Sequence, residues 1–79
     1  MRFDGLRVVV YPNDHRPAHV HVIGAGREAV FRLECPHGPP QLRQNFGFTR
    51  SEVEGIAEVL TGALDELCKA WRNWHGDDG

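Results

Sequence analysis

Ala18-His19-Val20-His21-Val22-Ile23-Gly24-Ala25-Gly26-Arg27-Glu28-Ala29-Val30-Phe31-Arg32-Leu33-Glu34 is the stretch on which the fold turns. From Ala18 to Ile23 the residues alternate, so Val20 and Val22 share one face of a strand while His19 and His21 share the other. The alternation returns from Glu28 to Glu34. There Ala29, Phe31 and Leu33 form the apolar side, opposite Glu28, Val30, Arg32 and Glu34. Between the two runs, Gly24-Ala25-Gly26 supplies the permissive backbone of a hairpin connection. Two antiparallel strands with one buried face need an apolar partner to cover that face.

Upstream, Leu6 to Tyr11 is rich in β-branched residues and stops at Pro12-Asn13-Asp14, a strong turn signal. A third strand is expected there. Downstream, Pro36, Gly38, Pro39 and Pro40 predict an irregular connection over residues 35–48. Thr49 followed three residues later by Glu52 forms a capping box, with Phe48 and Val53 placed for the accompanying hydrophobic staple. Apolar residues then recur at helical spacing from Val53 through Ile56, Leu60, Leu64, Leu67 and Trp71 to Trp74. The expected fold is α+β. A three-stranded antiparallel meander (about 6–12, 18–23 and 28–34) is followed by one long helix, about 50–75, packed on one face of the sheet. Gly55 and Gly62 each weaken that helix by about 1 kcal/mol relative to alanine and are the candidate break points. Unbroken, it runs about 37 Å against strands of about 20 Å, so its apolar stripe overhangs the sheet. The overhang predicts a homodimer whose contact is the Trp71 and Trp74 end.

The chain's 79 residues leave room for one domain, 1–79, with a modest core. Domains this small gain stability from disulfides, metals or partner subunits. Cys35 and Cys68 are the only cysteines, and Met1-Arg2-Phe3-Asp4 opens the chain without an apolar signal segment. The expectation is a cytoplasmic protein with reduced thiols, supported by a metal or a partner. The longest apolar run, Val8 to Tyr11, is far too short to span a membrane. Net charge is −2 but uneven: residues 1–50 hold seven arginines against four acids, and residues 51–79 hold two basic residues against seven acids. Arginines on exposed strand faces explain this most simply, and a basic half also suits phosphate or an acidic partner.

Chemistry concentrates between Asn13 and Val22. Strand pleating sets His19 and His21 on one face with Cα atoms about 6.5–7 Å apart, close enough for two imidazoles to share one metal. His15, in the preceding turn, is the candidate third ligand. His15, His19 and His21 plus a water is the arrangement of an open zinc site. Cys35 and His37 are further ligand candidates. The same histidines with Arg7, Arg16 or Arg32 also have the parts for metal-free acid–base chemistry on a phosphodiester, as in a small ribonuclease. A third reading is plain solvent-facing β-surface. The His19-Val20-His21-Val22 run is similar to part of the histidine-triad hydrolase signature, but Ile23 occupies the place of the third histidine.

Tyr11, Asn13-Asp14-His15, Pro17 and His19-Val20-His21-Val22 together closely resemble the opening motif of a bacterial family known as domain of unknown function 4160. The resemblance spans about Leu6 to His75. It departs at Ala18, where many members carry a second proline, and at Val20, where phenylalanine is common. It implies a stand-alone α+β domain with an acidic, tryptophan-bearing C-terminal helix and no established activity. Members are often encoded beside another small domain of unknown function, in a layout resembling toxin–antitoxin pairs. That layout implies a small protein partner or a nucleic-acid-directed role. The candidate site is therefore Asn13, Asp14, His15, His19, His21 and Arg32. The leading expectation is a binding module whose histidine cluster holds a metal, ahead of an RNA-directed protein and a non-catalytic interaction domain.

Overall fold

The computed structural model describes residues 1–76. It contains a five-stranded antiparallel sheet followed by two helices, in place of the expected three strands and one long helix. The strands are β1 (Arg2–Phe3), β2 (Leu6–Val9), β3 (His19–Gly24), β4 (Arg27–Arg32) and β5 (Gln41–Phe46), hydrogen-bonded in that order. The helices are α1 (Arg50–Gly62) and α2 (Leu64–His75).

β1 exists because Asp4-Gly5 turns the chain tightly, with φ of 50° and 77° at the two central positions. Asp-Gly is the residue pair that such a two-residue hairpin favours. Ala25-Gly26 makes the equivalent turn between β3 and β4, with φ of 53° and 74°. This fixes the register Gly24 to Arg27, Ile23 to Glu28, His21 to Val30 and His19 to Arg32. β5 lies within the segment expected to be irregular. Its sequence, Gln41-Leu42-Arg43-Gln44-Asn45-Phe46, has no apolar alternation, and every residue in it is exposed. An edge strand needs only backbone partners, here supplied by β4, so it leaves no periodic mark.

Val20 and Val22 from β3 and Ala29 and Phe31 from β4, with Leu33 just beyond, meet Ile56, Leu60, Leu64, Leu67 and Trp71 in one core. Burying each of the larger side chains contributes about 1.5–3 kcal/mol. α1 starts where expected. Glu52 N–H donates to the Thr49 hydroxyl at 3.1 Å, and Thr49 N–H donates to the Glu52 carboxylate at 2.8 Å.

The helix breaks after Gly62, at Ala63, whose φ of −112° and ψ of 15° leave the helical region. A straight helix over both segments would measure about 37 Å, longer than the molecule's greatest extent of 33 Å. With the break, residues of both halves join the one core with the sheet. Trp71 is 1% exposed and belongs to the core, whereas Trp74 is 61% exposed.

The thiols are not reduced. Cys35 and Cys68 form a disulfide that ties the segment after β4 to α2. The two residues lie 33 apart in sequence, and only the tertiary fold brings their Cα atoms to 5.9 Å. The expectation of a cytoplasmic protein rested partly on free thiols and loses that support. Cys35 is also removed as a metal ligand. No helix among the described residues is long and apolar enough to cross a membrane.

Candidate metal centre

The site is built by the turn after β2 and the first residues of β3. Pro12 presets the backbone at the second position of a Tyr11–Asp14 turn, and Asp14 N–H donates to the Tyr11 carbonyl at 3.2 Å. The turn carries the Asp14 carboxylate onto the histidine face of β3. His19 and His21 stand two apart on that strand, with ring centroids 5.3 Å apart. Asp14 Oδ2 lies 3.2 Å from His19 Nε2 and 3.0 Å from His21 Nε2. Ligand atoms of the three residues all fall within 4.8 Å of one another.

The other ring nitrogens are also engaged. His19 Nδ1 sits 2.9 Å from the Pro17 carbonyl oxygen, and His21 Nδ1 sits 2.9 Å from Glu28 Oε2. A carbonyl and a carboxylate only accept hydrogen bonds, so each ring carries its proton on Nδ1 and donates outward. A ring with its only proton on Nδ1 turns its Nε2 lone pair towards the Asp14 carboxylate oxygen. Three electron-rich atoms in that arrangement need positive charge among them, either a second proton on the rings or a shared cation.

The two separations from Asp14 suit a shared cation. Donors about 2.1 Å from a common centre lie about 3.0 Å apart at octahedral angles and about 3.4 Å apart at tetrahedral ones. The two Asp14–imidazole separations fall in or beside that range. Carbonyl and carboxylate partners on the outer nitrogens are the arrangement that orients metal-binding imidazoles and raises their basicity. Ring packing adds rigidity. Tyr11 meets His21 edge-on at 4.8 Å, Trp71 lies 5.2 Å from His19, and His75 stacks on Trp71 at 3.8 Å. His75 Nε2 lies 3.1 Å from the Tyr11 carbonyl, which joins the end of α2 to the turn. The centre is partly open, with the two histidine side chains 20% and 16% exposed.

The expected site residues divide into two groups. Asp14, His19 and His21 converge, and Asp14 takes the place foreseen for His15. His15 is exposed and lines an adjoining open depression of about 270 Å³ with Arg16, Arg32 and Arg43. Asn13 is exposed in the turn, and His37 is exposed in the segment after Cys35. Arg32 pairs with Glu34, donating from Nε and Nη2 to one carboxylate oxygen at 2.8 Å. Arg7 pairs across to Ile23, two residues further along β3 from His21.

Glu28 escaped the sequence reading, and Asp14 was expected in the site but not as the companion of the two imidazoles. The partnership of Glu28 with His21 follows from the hairpin register, which sets Glu28 diagonally beside His21 and within reach of a long side chain. The Asp14 contribution follows from the turn, because a Pro-Asn-Asp turn closing just before a strand returns its last side chain towards that strand.

No curated protein and no solved structure matches the chain. A family model described as Domain of unknown function (DUF4160) matches residues 5–72, a span that takes in the turn, β3 and most of α2, and the chain belongs to that family.

Proposed function

We propose that this protein is a metal-binding module in which Asp14, His19 and His21 hold one divalent cation, with zinc the first candidate. The observation that carries the reading is the Asp14 oxygen, placed within 3.2 Å of two Nε2 atoms whose rings are already tied through Nδ1 to the Pro17 carbonyl and Glu28 carboxylate. Two imidazoles and a carboxylate suit zinc, and the same set with vacant positions suits ferrous iron. Three protein ligands leave room for water, which is the coordination of reactive zinc rather than of a closed structural site.

Zinc titration into metal-free protein tests the proposal. Binding at one equivalent is expected, with release of protons, because the ligands must give up protons to the solvent as the metal enters. Asp14→Ala and His21→Ala are expected to weaken zinc by more than about 100-fold, beyond the range for loss of an outer partner. His15→Ala is expected to leave it unchanged. Absence of zinc binding would reject the reading, as would equal losses in His15→Ala and His21→Ala.

A further inference from the structure

The depression beside the metal centre is lined by cationic side chains drawn from three separate parts of the chain. Arg16 comes from the turn before β3, Arg32 from the end of β4 and Arg43 from β5, with His15 and His19 between them. Arg43 reaches this surface through a local irregularity. Val30 pairs with Gln44 and Phe31 with Leu42, so Arg43 is the extra residue of a β-bulge. Bulges of this kind bend a strand and redirect a side chain, and they recur beside functional sites. Three arginines line one hollow, and an anion there would meet positive charge from three separate parts of the chain.

The geometry points to a phosphoryl-anion subsite formed by Arg16, Arg32 and Arg43 and adjoining the Asp14–His19–His21 centre. Arginine forks match phosphate oxygens in paired hydrogen bonds. Arg32 commits two of its five N–H groups to Glu34, which holds the guanidinium in place and leaves three for a ligand. Arg43 is exposed and makes no ion pair among the described residues. The Glu34 charge opposes an anion and is paired with Arg32. A single carboxylate ligand would satisfy one fork, whereas phosphate offers oxygens to several. His19 borders both the hollow and the metal centre, so a bound phosphoryl group lies next to the cation. The inference rests on the metal reading only for that neighbouring cation, and the arginine subsite stands on its own residues.

Inorganic phosphate titrated into metal-free protein, followed by amide and guanidinium NMR signals, is the test. Saturable shifts are expected at residues 15–19, 30–32 and 43, with acetate far weaker. Arg43→Glu is expected to lower phosphate affinity by about tenfold or more while leaving zinc binding intact, and Arg32→Gln gives an independent second loss. A single-stranded uridylate hexamer distinguishes the source of the phosphoryl group. Tighter binding than phosphate, with a salt slope that falls by about one unit in Arg43→Glu, marks a polynucleotide backbone. Equal binding of hexamer and phosphate marks a small phosphoester, and either result upholds the subsite. No saturable shift at millimolar phosphate would overturn it, as would affinity unchanged in both arginine variants or binding that needs zinc and ignores the arginines. Arginine-dependent phosphate binding in a protein that takes no zinc would instead retain the subsite and remove the metal reading.

Discussion

Glu28 shows how one side chain outside the ligand set bears on the centre. Its carboxylate accepts from His21 Nδ1 at 2.9 Å, which turns Nε2 towards Asp14. Glu28→Gln keeps the shape but replaces the anion with a neutral amide. Zinc affinity is expected to fall about 10- to 100-fold, measured by competition with a chelator, with stoichiometry unchanged. An affinity equal to wild type would show that the Glu28 contact does not orient the ring. At this scale the sequence was partly readable. Alternation placed His19 and His21 on one face, and proximity in the chain favoured His15 as their companion. Asp14 takes that place because a hydrogen-bonded turn determines where its side chain points, and alternation carries no information about turns.

Among the elements, the start of α1 is the most completely encoded. Thr49 and Glu52 satisfy each other's backbone N–H groups, and Glu52 also accepts from Arg27 at 2.7 Å. The backbone N–H of Thr49, followed by Arg27, holds the Glu52 carboxyl below its ordinary range. A carboxyl lowered by folding stabilises the fold above its unfolded pKa, and that contribution is lost as pH falls through the lowered folded value. Thr49→Ala is expected to cost about 1 kcal/mol in chemical denaturation. Glu52→Gln is expected to flatten the acid limb of the stability curve. An unchanged acid limb would mean that the box carries no pH dependence. The β3–β4 hairpin was also legible, through Gly24-Ala25-Gly26. The division into two helices was not, because Gly55 and Gly62 carry the same low helix propensity and only the second lies at the break. β5 was not, because an exposed edge strand buries no face and therefore has no pattern to read. β1 had its signal in Asp4-Gly5, but two residues are too few for periodicity.

For the whole molecule, the Cys35–Cys68 bridge is the feature least accessible from sequence, since it joins the two halves of the chain across a separation of 33 residues. Closing a loop of that length stabilises the fold by about 3–4 kcal/mol through the entropy of the unfolded chain. Cys35→Ser/Cys68→Ser is therefore expected to lower the thermal midpoint by many degrees. A midpoint equal to wild type in reductant-free buffer would show that the bridge contributes nothing. The bridge also anchors α2, whose Trp71 and His75 pack against the histidine face and the Tyr11 turn. The candidate centre thus depends on β3, on the turn before it and on the helix beside it. The most direct test of that centre is long-range proton–nitrogen NMR of the imidazole rings before and after one equivalent of zinc. Nε2 of His19 and His21 alone are expected to shift to metal-bound values while both rings keep Nδ1–H. Shifts at His15, His37 or His75 instead, or no ring shift at all, would contradict the metal reading.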